Sequence, residues 1–288
     1  MKKINLLHSS AIALAMFAVA IPAQAQATDD TASEDELRQS QIVVTGTRSA
    51  DRTALETAVP VDVFPVAELT ETGRTELNQI LAATVPSFNF NQTSISDGSD
   101  IIRPATLRGL APDQTLVLVN SKRRHSSSLV NINGTVGRGS SAVDLNSIPT
   151  AAIGSVQVLR DGASAQYGSD AIAGVINVLL REESSGGGVN ARYGAFVTDI
   201  DGQGRDAVDG ETVQLSGWKG FALGESGFLT ISAEYKDRNP SNRAGLDPRQ
   251  QYIQPGGVVD PRENTFNRLN HNWGNGNAED FSAFANAG

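Results

Sequence analysis

The 288-residue chain contains no cysteine. This absence excludes disulfide frameworks, thiolate-bound metal sites and cysteine nucleophiles. Positive charge is also scarce, because 23 Lys and Arg stand against 32 Asp and Glu and give a formal net charge of −9. Nucleic-acid binding needs a basic face, so this balance argues against a nucleic-acid partner. With 39 % hydrophobic residues, the chain is nevertheless apolar enough to bury a core.

Signatures of catalysis and of cofactor binding are missing as well. His125 precedes three serines at 126–128, but no G-x-S-x-G turn presents a nucleophile. Residues 202–207 match the letters of a dinucleotide fingerprint, yet no apolar strand precedes them and no helical pattern follows. The acidic stretch 199–210 lacks the bidentate glutamate of a calcium loop, because Gly210 occupies its place. We therefore predict no enzyme, no cofactor and no metal site.

The apolar run near the N-terminus, residues 11–21, is too short to span a bilayer comfortably. It follows Lys2 and Lys3 and precedes the small-x-small triplet at 23–25, which is the pattern of a secretory signal peptide. We therefore assign residues 1–25 to a cleaved signal peptide. A buried N-terminal helix or an uncleaved anchor is the alternative.

Residues 26–58 are predicted to form a flexible tether. The stretch 26–40 is acidic and polar, so it cannot bury enough apolar surface to order itself. A sudden β-branched run, Ile42-Val43-Val44, follows it. From composition alone this run is either an edge strand of the next domain or a mobile segment that adds as a strand to a partner's sheet.

Residues 59–182 are predicted to form one compact α+β domain with a small mixed sheet and short helices. Helices are expected at 67–72 and 76–84, the second being stopped by Pro86. Strands are expected over residues 60–64, 116–119, 155–158 and 175–180. Two stretches, 89–102 and 122–144, are too polar for a core and too long for simple turns, so we expect them to be binding loops.

After residue 186, apolar and polar residues alternate. The alternation covers residues 189–195, 213–216 and 229–236. It is typical of transmembrane β-strands with one lipid-facing and one lumen-facing side, although a half-buried sheet of a soluble protein shows it too. A short turn at 224–227 contrasts with a long polar connection predicted for 198–210. Residues 239–288 read as an outer loop with at most a poorly formed fourth strand.

Three blocks of the sequence resemble the family of TonB-dependent outer-membrane receptors. Residues 160–178, RDGASAQYGSDAIAGVINV, look like the end of the family's plug domain. Residues 106–120 contain TLRGL and then QTLVLVN, which is similar to an earlier plug block. Residues 41–48, QIVVTGTR, resemble the TonB box. The usual Arg-Gly-Pro of the first block reads Arg-Asp-Gly here, a departure that stays within turn chemistry.

This resemblance implies an outer-membrane protein whose plug and N-terminus face the periplasm. It implies energised uptake of a scarce ligand, such as an iron chelate, cobalamin or a carbohydrate. The implied partners are a TonB-type inner-membrane energy transducer, the small-molecule ligand and outer-membrane lipid. Only the short tether precedes the box, which favours a transporter without a signalling module.

The resemblance also implies three groups of site residues. The docking segment for the transducer comprises Gln41, Ile42, Val43, Val44, Thr45 and Gly46. The ligand-contact candidates are polar residues within Gln92–Arg103 and Lys122–Arg138: Ser94, Asp97, Arg103, Arg123, Arg124, His125, Asn131, Asn133 and Arg138. Arg108 and Arg160 are expected to pair with carboxylates on the inner wall of the barrel.

The number of strands distinguishes two functional alternatives. A barrel that encloses a plug needs about 22 strands, whereas three are identifiable here. An open sheet in lipid leaves unpaired backbone groups at both edges. We therefore expect residues 186–288 to be an incomplete, truncated barrel and the chain to be the N-terminal part of a transporter. The alternative is a soluble periplasmic plug-like binding module without a pore.

The signal-peptide assignment yields a direct prediction. Sequencing the N-terminus of the exported protein should start at Gln26, because cleavage after Ala25 follows the apolar run and the small-x-small triplet. Cleavage after Ala27 is the nearest alternative, since residues 25–27 repeat the triplet. An exported protein that retains Met1 would contradict the assignment.

Overall fold

The computed structural model describes residues 45, 61–89, 102–132, 137–160, 163–200, 205–267 and 273–288. The predicted signal peptide and all of the predicted docking segment except Thr45 lie outside the described residues. Three ligand-contact candidates, Ser94, Asp97 and Asn133, lie outside them as well.

A five-stranded sheet, called the mixed sheet below, forms the first part of the described chain. Its strands are β1 (Val61–Pro65), β2 (Thr115–Val119), β3 (Lys122–Arg123), β4 (Ile153–Leu159) and β5 (Gly174–Leu180), in the spatial order β1-β4-β5-β2-β3. The pair β2–β5 is parallel and the other pairs are antiparallel. This confirms the predicted mixed sheet and each of its four predicted strands.

Short helices pack on this sheet. They are α1 (Val66–Glu71), α2 (Leu77–Thr84) and α3 (Ser164–Tyr167). The two predicted helices are therefore confirmed with their ends shifted by about one residue. Gly168 ends α3 with a φ of 91°, a conformation that glycine adopts without strain. Among the described residues, no helix is both long and apolar enough to cross a membrane.

Both faces of the mixed sheet are covered. On one face, the α2 residues Leu77, Ile80 and Leu81 share a buried cluster with Val156 of β4 and Ile176 of β5. On the other face, a second cluster contains Val61, Val63, Leu116, Leu118, Leu159 and Val175. A strand that is buried on both faces needs apolar side chains at nearly every position, which explains the continuous runs in β2 and β5.

A four-stranded antiparallel sheet follows, called the antiparallel sheet below. Its strands are β6 (Gly187–Ile200), β7 (Arg205–Leu223), β8 (Gly227–Arg238) and β9 (Ala278–Ala287), in that spatial order. The predicted fold class, an α+β domain followed by antiparallel strands, is thus confirmed. The residue boundaries assigned to the segments of the chain stay predictions.

The antiparallel sheet buries polar side chains and exposes apolar ones, the reverse of a sheet in a soluble protein. Every second residue of β8 is polar and buried: Thr230, Ser232, Glu234, Lys236 and Arg238. Of the intervening positions, Ile231 and Asp237 are exposed and Leu229, Ala233 and Tyr235 are half-buried. Apolar residues of the neighbouring strands are exposed, with Val189 reaching 94 %. A soluble sheet would bury the apolar face instead. Polar side chains inside and apolar side chains outside are the arrangement of a transmembrane strand.

Two expectations for the connections are wrong. The predicted long connection at 198–210 is mostly strand, because β6 continues to Ile200 and β7 begins at Arg205. Val197 and Val208 pair there and are both exposed, so the alternation continues through a stretch whose Asp and Gly content suggested a loop. The polar region 239–288 ends in the well-formed strand β9, which pairs with β8 along its whole length.

Candidate functional site

The buried polar face of β8 lies against the mixed-sheet domain and forms hydrogen bonds with it at several positions along the strand. At one end, the Thr230 hydroxyl accepts from the Glu183 main-chain N–H at 2.8 Å and donates to the Glu183 carbonyl at 3.0 Å. Further along the strand, a Glu234 carboxylate oxygen accepts from the Thr150 N–H at 3.0 Å and from its hydroxyl at 2.7 Å. These bonds fix the polar face of the strand on the domain.

The strongest of these contacts centres on Glu76, the residue before α2. Its carboxylate is almost fully buried and contacts three buried cations. Oε1 lies 2.6 Å from Nη1 of Arg238 and 3.7 Å from Nζ of Lys236, both on β8. Oε2 lies 3.3 Å from Nε of Arg103. Ions removed from water in this way cost several kcal/mol each unless they are paired, so these four residues are energetically interdependent.

The predicted pairing residues Arg108 and Arg160 have contacts inside the mixed-sheet domain. Arg160 forms a salt bridge with Asp62 of β1, with Nε 2.7 Å from Oδ2. Arg108 donates from Nη1 to the Arg160 carbonyl at 3.0 Å. Their pairing with carboxylates of a barrel wall stays a prediction. In the ion pairs that do join the two sheets, the carboxylate, Glu76, comes from the mixed-sheet domain and the cations come from β8. This is the reverse of the predicted arrangement, in which the domain supplies the arginines.

The ligand-contact candidates are divided between two places. Arg103 is fully buried beside Glu76, and its Nη2 donates to Asn275 Oδ1 at 3.5 Å. Its main-chain N–H donates to Asp144, whose pKa is raised by burial although this bond and the Asn146 N–H act against the shift. The remaining described candidates lie in β3 and in the loop that follows it. They are Arg123 of β3, then Arg124 and His125, with Asn131 buried and Arg138 exposed.

Arg123, Arg124 and His125 line one polar cavity of about 370 Å³, together with Asp113 and Asp170. The Arg123 guanidinium donates to Asp170 and holds the pKa of that exposed carboxylate below its usual range. Arg124 lies 5.8 Å from the ring centre of Phe284 on β9. The cavity therefore combines positive and negative groups, and all of its lining residues belong to the mixed-sheet domain. The ligand role of its residues stays a prediction.

Thr45 is the one described residue of the predicted docking segment, and it is fully buried. Its N–H and its hydroxyl both donate to Oε1 of Gln157, at 3.1 Å and 2.7 Å. Its hydroxyl also accepts from Nδ2 of Asn177 at 3.0 Å. The segment therefore contacts the middle of the mixed sheet through this residue.

Comparison with protein families shows that the part of the chain that forms the mixed sheet matches a known domain. A profile of the TonB-dependent receptor plug domain matches residues 53–175. The match covers β1 to β4 and the start of β5, and it ends before the antiparallel sheet.

Receptors of similar sequence extend the likeness beyond this domain. The chain is 26 % identical over 270 residues to the ferric enterobactin receptor PirA of Pseudomonas aeruginosa, which covers 91 % of this chain and 34 % of that receptor. It is 35 % identical over 98 residues to the probable TonB-dependent siderophore receptor PirA of Acinetobacter baumannii, covering 34 % and 13 %. It is 26 % identical over 198 residues to the vitamin B12 transporter BtuB of Vibrio cholerae, covering 67 % and 27 %. The chain thus spans about a third of the first relative and less of the others.

A solved structure shares the fold. A point mutant of the ferric enterobactin receptor PfeA of Pseudomonas aeruginosa, in complex with enterobactin, superposes with a TM-score of 0.50 at 23 % identity. The superposition covers 68 % of this chain and 28 % of that receptor. At this identity, the likeness concerns the fold alone.

The Glu76 cluster yields a prediction about stability. Glu76→Gln keeps the shape of the side chain but removes the negative charge that faces Arg103 and Arg238, while Lys236 keeps its contact with Asp280. The free energy of unfolding should therefore fall by about 3–5 kcal/mol. Denaturant unfolding followed by fluorescence of Trp218 and Trp273 would measure the loss.

A matched control removes one negative charge from a more exposed pair. Asp62→Asn breaks the partly solvated salt bridge to Arg160 and should cost less than about 1 kcal/mol. Equal losses in the two variants would show that Glu76 does not hold the sheets together.

Proposed function

We propose that this chain, which belongs to the TonB-dependent receptors, forms part of an outer-membrane transporter for a scarce ligand. Energy would come from a TonB-type inner-membrane transducer that docks on residues 41–46. The observation that carries the proposal is the seating of a plug domain on the polar face of strands whose other face is apolar and exposed. Membership of this family agrees with the predicted outer-membrane location and with a receptor rather than an enzyme.

The exposed apolar side chains of the antiparallel sheet favour a membrane transporter over a soluble binding module. Exposed Val189, Tyr193, Val208 and Phe281 would each lose stabilisation in water, where burial of such side chains contributes about 1.5–3 kcal/mol. In lipid, the apolar side chains of this face would contact hydrocarbon instead of water. A plug domain that contacts the polar face would then lie in the lumen, where it blocks free passage.

A ferric siderophore is the ligand class that we favour, with cobalamin as the second candidate. The support is the naming of the similar proteins as ferric enterobactin receptors and as a vitamin B12 transporter. The cavity lined by Arg123, Arg124 and His125 suits a ligand with anionic groups, since guanidinium groups bind carboxylate and phenolate-type oxygens through fixed donors.

Ligand binding is tested by removing the cationic side chains of this cavity. In the complete receptor, replacing Arg123, Arg124 and His125 together with Ala should weaken binding of a ferric siderophore by about tenfold or more, the effect of losing one or two charge-assisted hydrogen bonds. Lys122→Ala is the control, because this neighbouring cation does not line the cavity. Unchanged affinity in the triple variant would remove the loop from the ligand site.

Transducer docking is tested by comparing uptake with binding. Strand addition depends on main-chain hydrogen bonds, so Val44→Pro should abolish uptake because proline lacks the N–H donor and restricts the residue before it. Val43→Ala, which keeps the main chain intact, should transport nearly normally. Both variants should bind ligand at the outer face. Normal transport by Val44→Pro, or loss of its outer-face binding, would show that residues 41–46 are not the docking strand.

A further inference from the structure

A second cavity, called the β6 pocket below, lies between the mixed-sheet domain and the strands β6 and β7. Its volume is about 190 Å³, and it shares no residue with the cavity around Arg123. Asn190 of β6 pairs with Ser216 of β7, which pairs in turn with Glu234 of β8, so the pocket lies on the buried polar face of the sheet. The side chains that line it with polar atoms are those of Thr70, Thr150, Arg181, Asn190, Arg192, Ser216 and Trp218.

A glycine makes room for the aromatic wall of the β6 pocket. Gly188 lies opposite Trp218, and a side chain at Gly188 would place its Cβ 2.9 Å from Nε1 of the indole. The indole therefore lies over the main chain of β6. The central carbon of the Arg181 guanidinium group lies 4.7 Å from the centre of the Trp218 ring. This is the distance of a cation–π contact, and it holds Arg181 at the wall of the pocket.

Main-chain carbonyl groups position both guanidinium groups of the pocket. Arg181 donates from Nε to the Ala151 carbonyl at 3.0 Å. Arg192 donates from Nη2 to the Thr70 carbonyl at 3.1 Å and from Nη1 to the Arg74 carbonyl. Because a guanidinium group has five N–H donors, these bonds leave donors available on both side chains.

The β6 pocket combines two cations with no carboxylate among its described lining residues. Within the part of the chain that the structure describes, neither guanidinium group forms a salt bridge. Burial lowers the pKa of Arg181, although the charge of Glu183 acts against this shift. The cavity around Arg123 differs, because Asp113 and Asp170 line it. An anion in the β6 pocket would therefore offset the desolvation of Arg181 and face two cations at once.

We propose that the β6 pocket binds inorganic phosphate or a small phosphate monoester, and that this anion joins the mixed-sheet domain to β6. Guanidinium groups match the oxygens of a phosphate group in geometry and charge. Arg181 belongs to the domain and Arg192 to β6, so one bound phosphate bridges the two. Asn190 and Ser216 add neutral donors. The pocket lies on the polar side of the sheet, which favours a water-soluble phosphate over the headgroup of a membrane lipid.

The test is a titration of the purified chain with inorganic phosphate, in which NaCl holds the ionic strength constant. The denaturant concentration at the unfolding midpoint should rise saturably, because a ligand that binds the folded chain stabilises it. In a Trp273→Phe variant, Trp218 is the one tryptophan that remains, so its fluorescence reports on the pocket itself. A midpoint that phosphate does not raise beyond the effect of NaCl would overturn the proposal.

Variants locate the effect. Arg181→Gln and Arg192→Gln should each weaken phosphate affinity about tenfold or more, the effect of losing a charge-assisted hydrogen bond. Ser216→Ala is a milder change in the same pocket and should weaken it severalfold. Lys219→Gln is the matched control, because this cation follows Trp218 in β7 but does not line the pocket. Phosphate also stabilises folded proteins in general by exclusion from their surface. Equal midpoint shifts in all four variants would assign the effect to that general action and overturn the site.

Two esters distinguish a soluble phosphate from a lipid headgroup. Glycerol 3-phosphate carries a monoester with close to two negative charges at neutral pH, whereas glycerophosphoglycerol, a soluble lipid headgroup, carries a diester with one. The monoester should bind about tenfold more tightly than the diester, since two cations face the bound group. Equal or tighter binding of the diester would overturn the assignment to a soluble phosphate.

Discussion

The contact of one buried carboxylate with three buried cations holds the two sheets of this chain in place. Glu76 belongs to the mixed-sheet domain, whereas Arg238 and Lys236 belong to β8. The buried cations on the inner face of β8 gain compensating charge from Glu76, and Glu76 gains two of its three cations from that strand and the third, Arg103, from its own domain. Each sheet therefore depends on the other for its electrostatic balance.

This dependence explains why the antiparallel sheet has the opposite polarity to a soluble one. Its inner face needs hydrogen-bond partners, which the domain offers through Thr150, Glu183 and Glu76. Its outer face then carries the apolar residues, which is the arrangement of a strand whose outer side faces hydrocarbon. The alternation of polar and apolar residues in these strands thus matches a domain on the polar face and an apolar environment on the other face.

Local patterns predicted the elements of the fold but not their contacts. Alternation in β1 and β4, apolar runs in β2 and β5, and the helix stop at Pro86 predicted four strands of the mixed sheet and two helices close to their observed bounds. The Asp- and Gly-rich stretch near residue 200 was wrongly read as a loop, because strand pairing overrode composition. Glu76 went unnoticed, since at the start of a helix a glutamate is ordinary and its partner Arg238 lies 162 residues away. Only the fold shows that they meet.

The contact between the two sheets is uneven along β8, and this has a mechanical consequence. At the Arg238 end the bonds are charge-assisted, and such bonds are roughly twice as strong as neutral ones. At the Thr230 end and on β9 they are neutral, as between Asn120 and Asn286 at 3.0 Å. Thr45 contacts the sheet through neutral bonds as well, and Asn177 links it to the turn that carries Asn120. A force that separates the domain from the antiparallel sheet is therefore expected to break the neutral bonds at the Thr230 end before the Glu76 cluster.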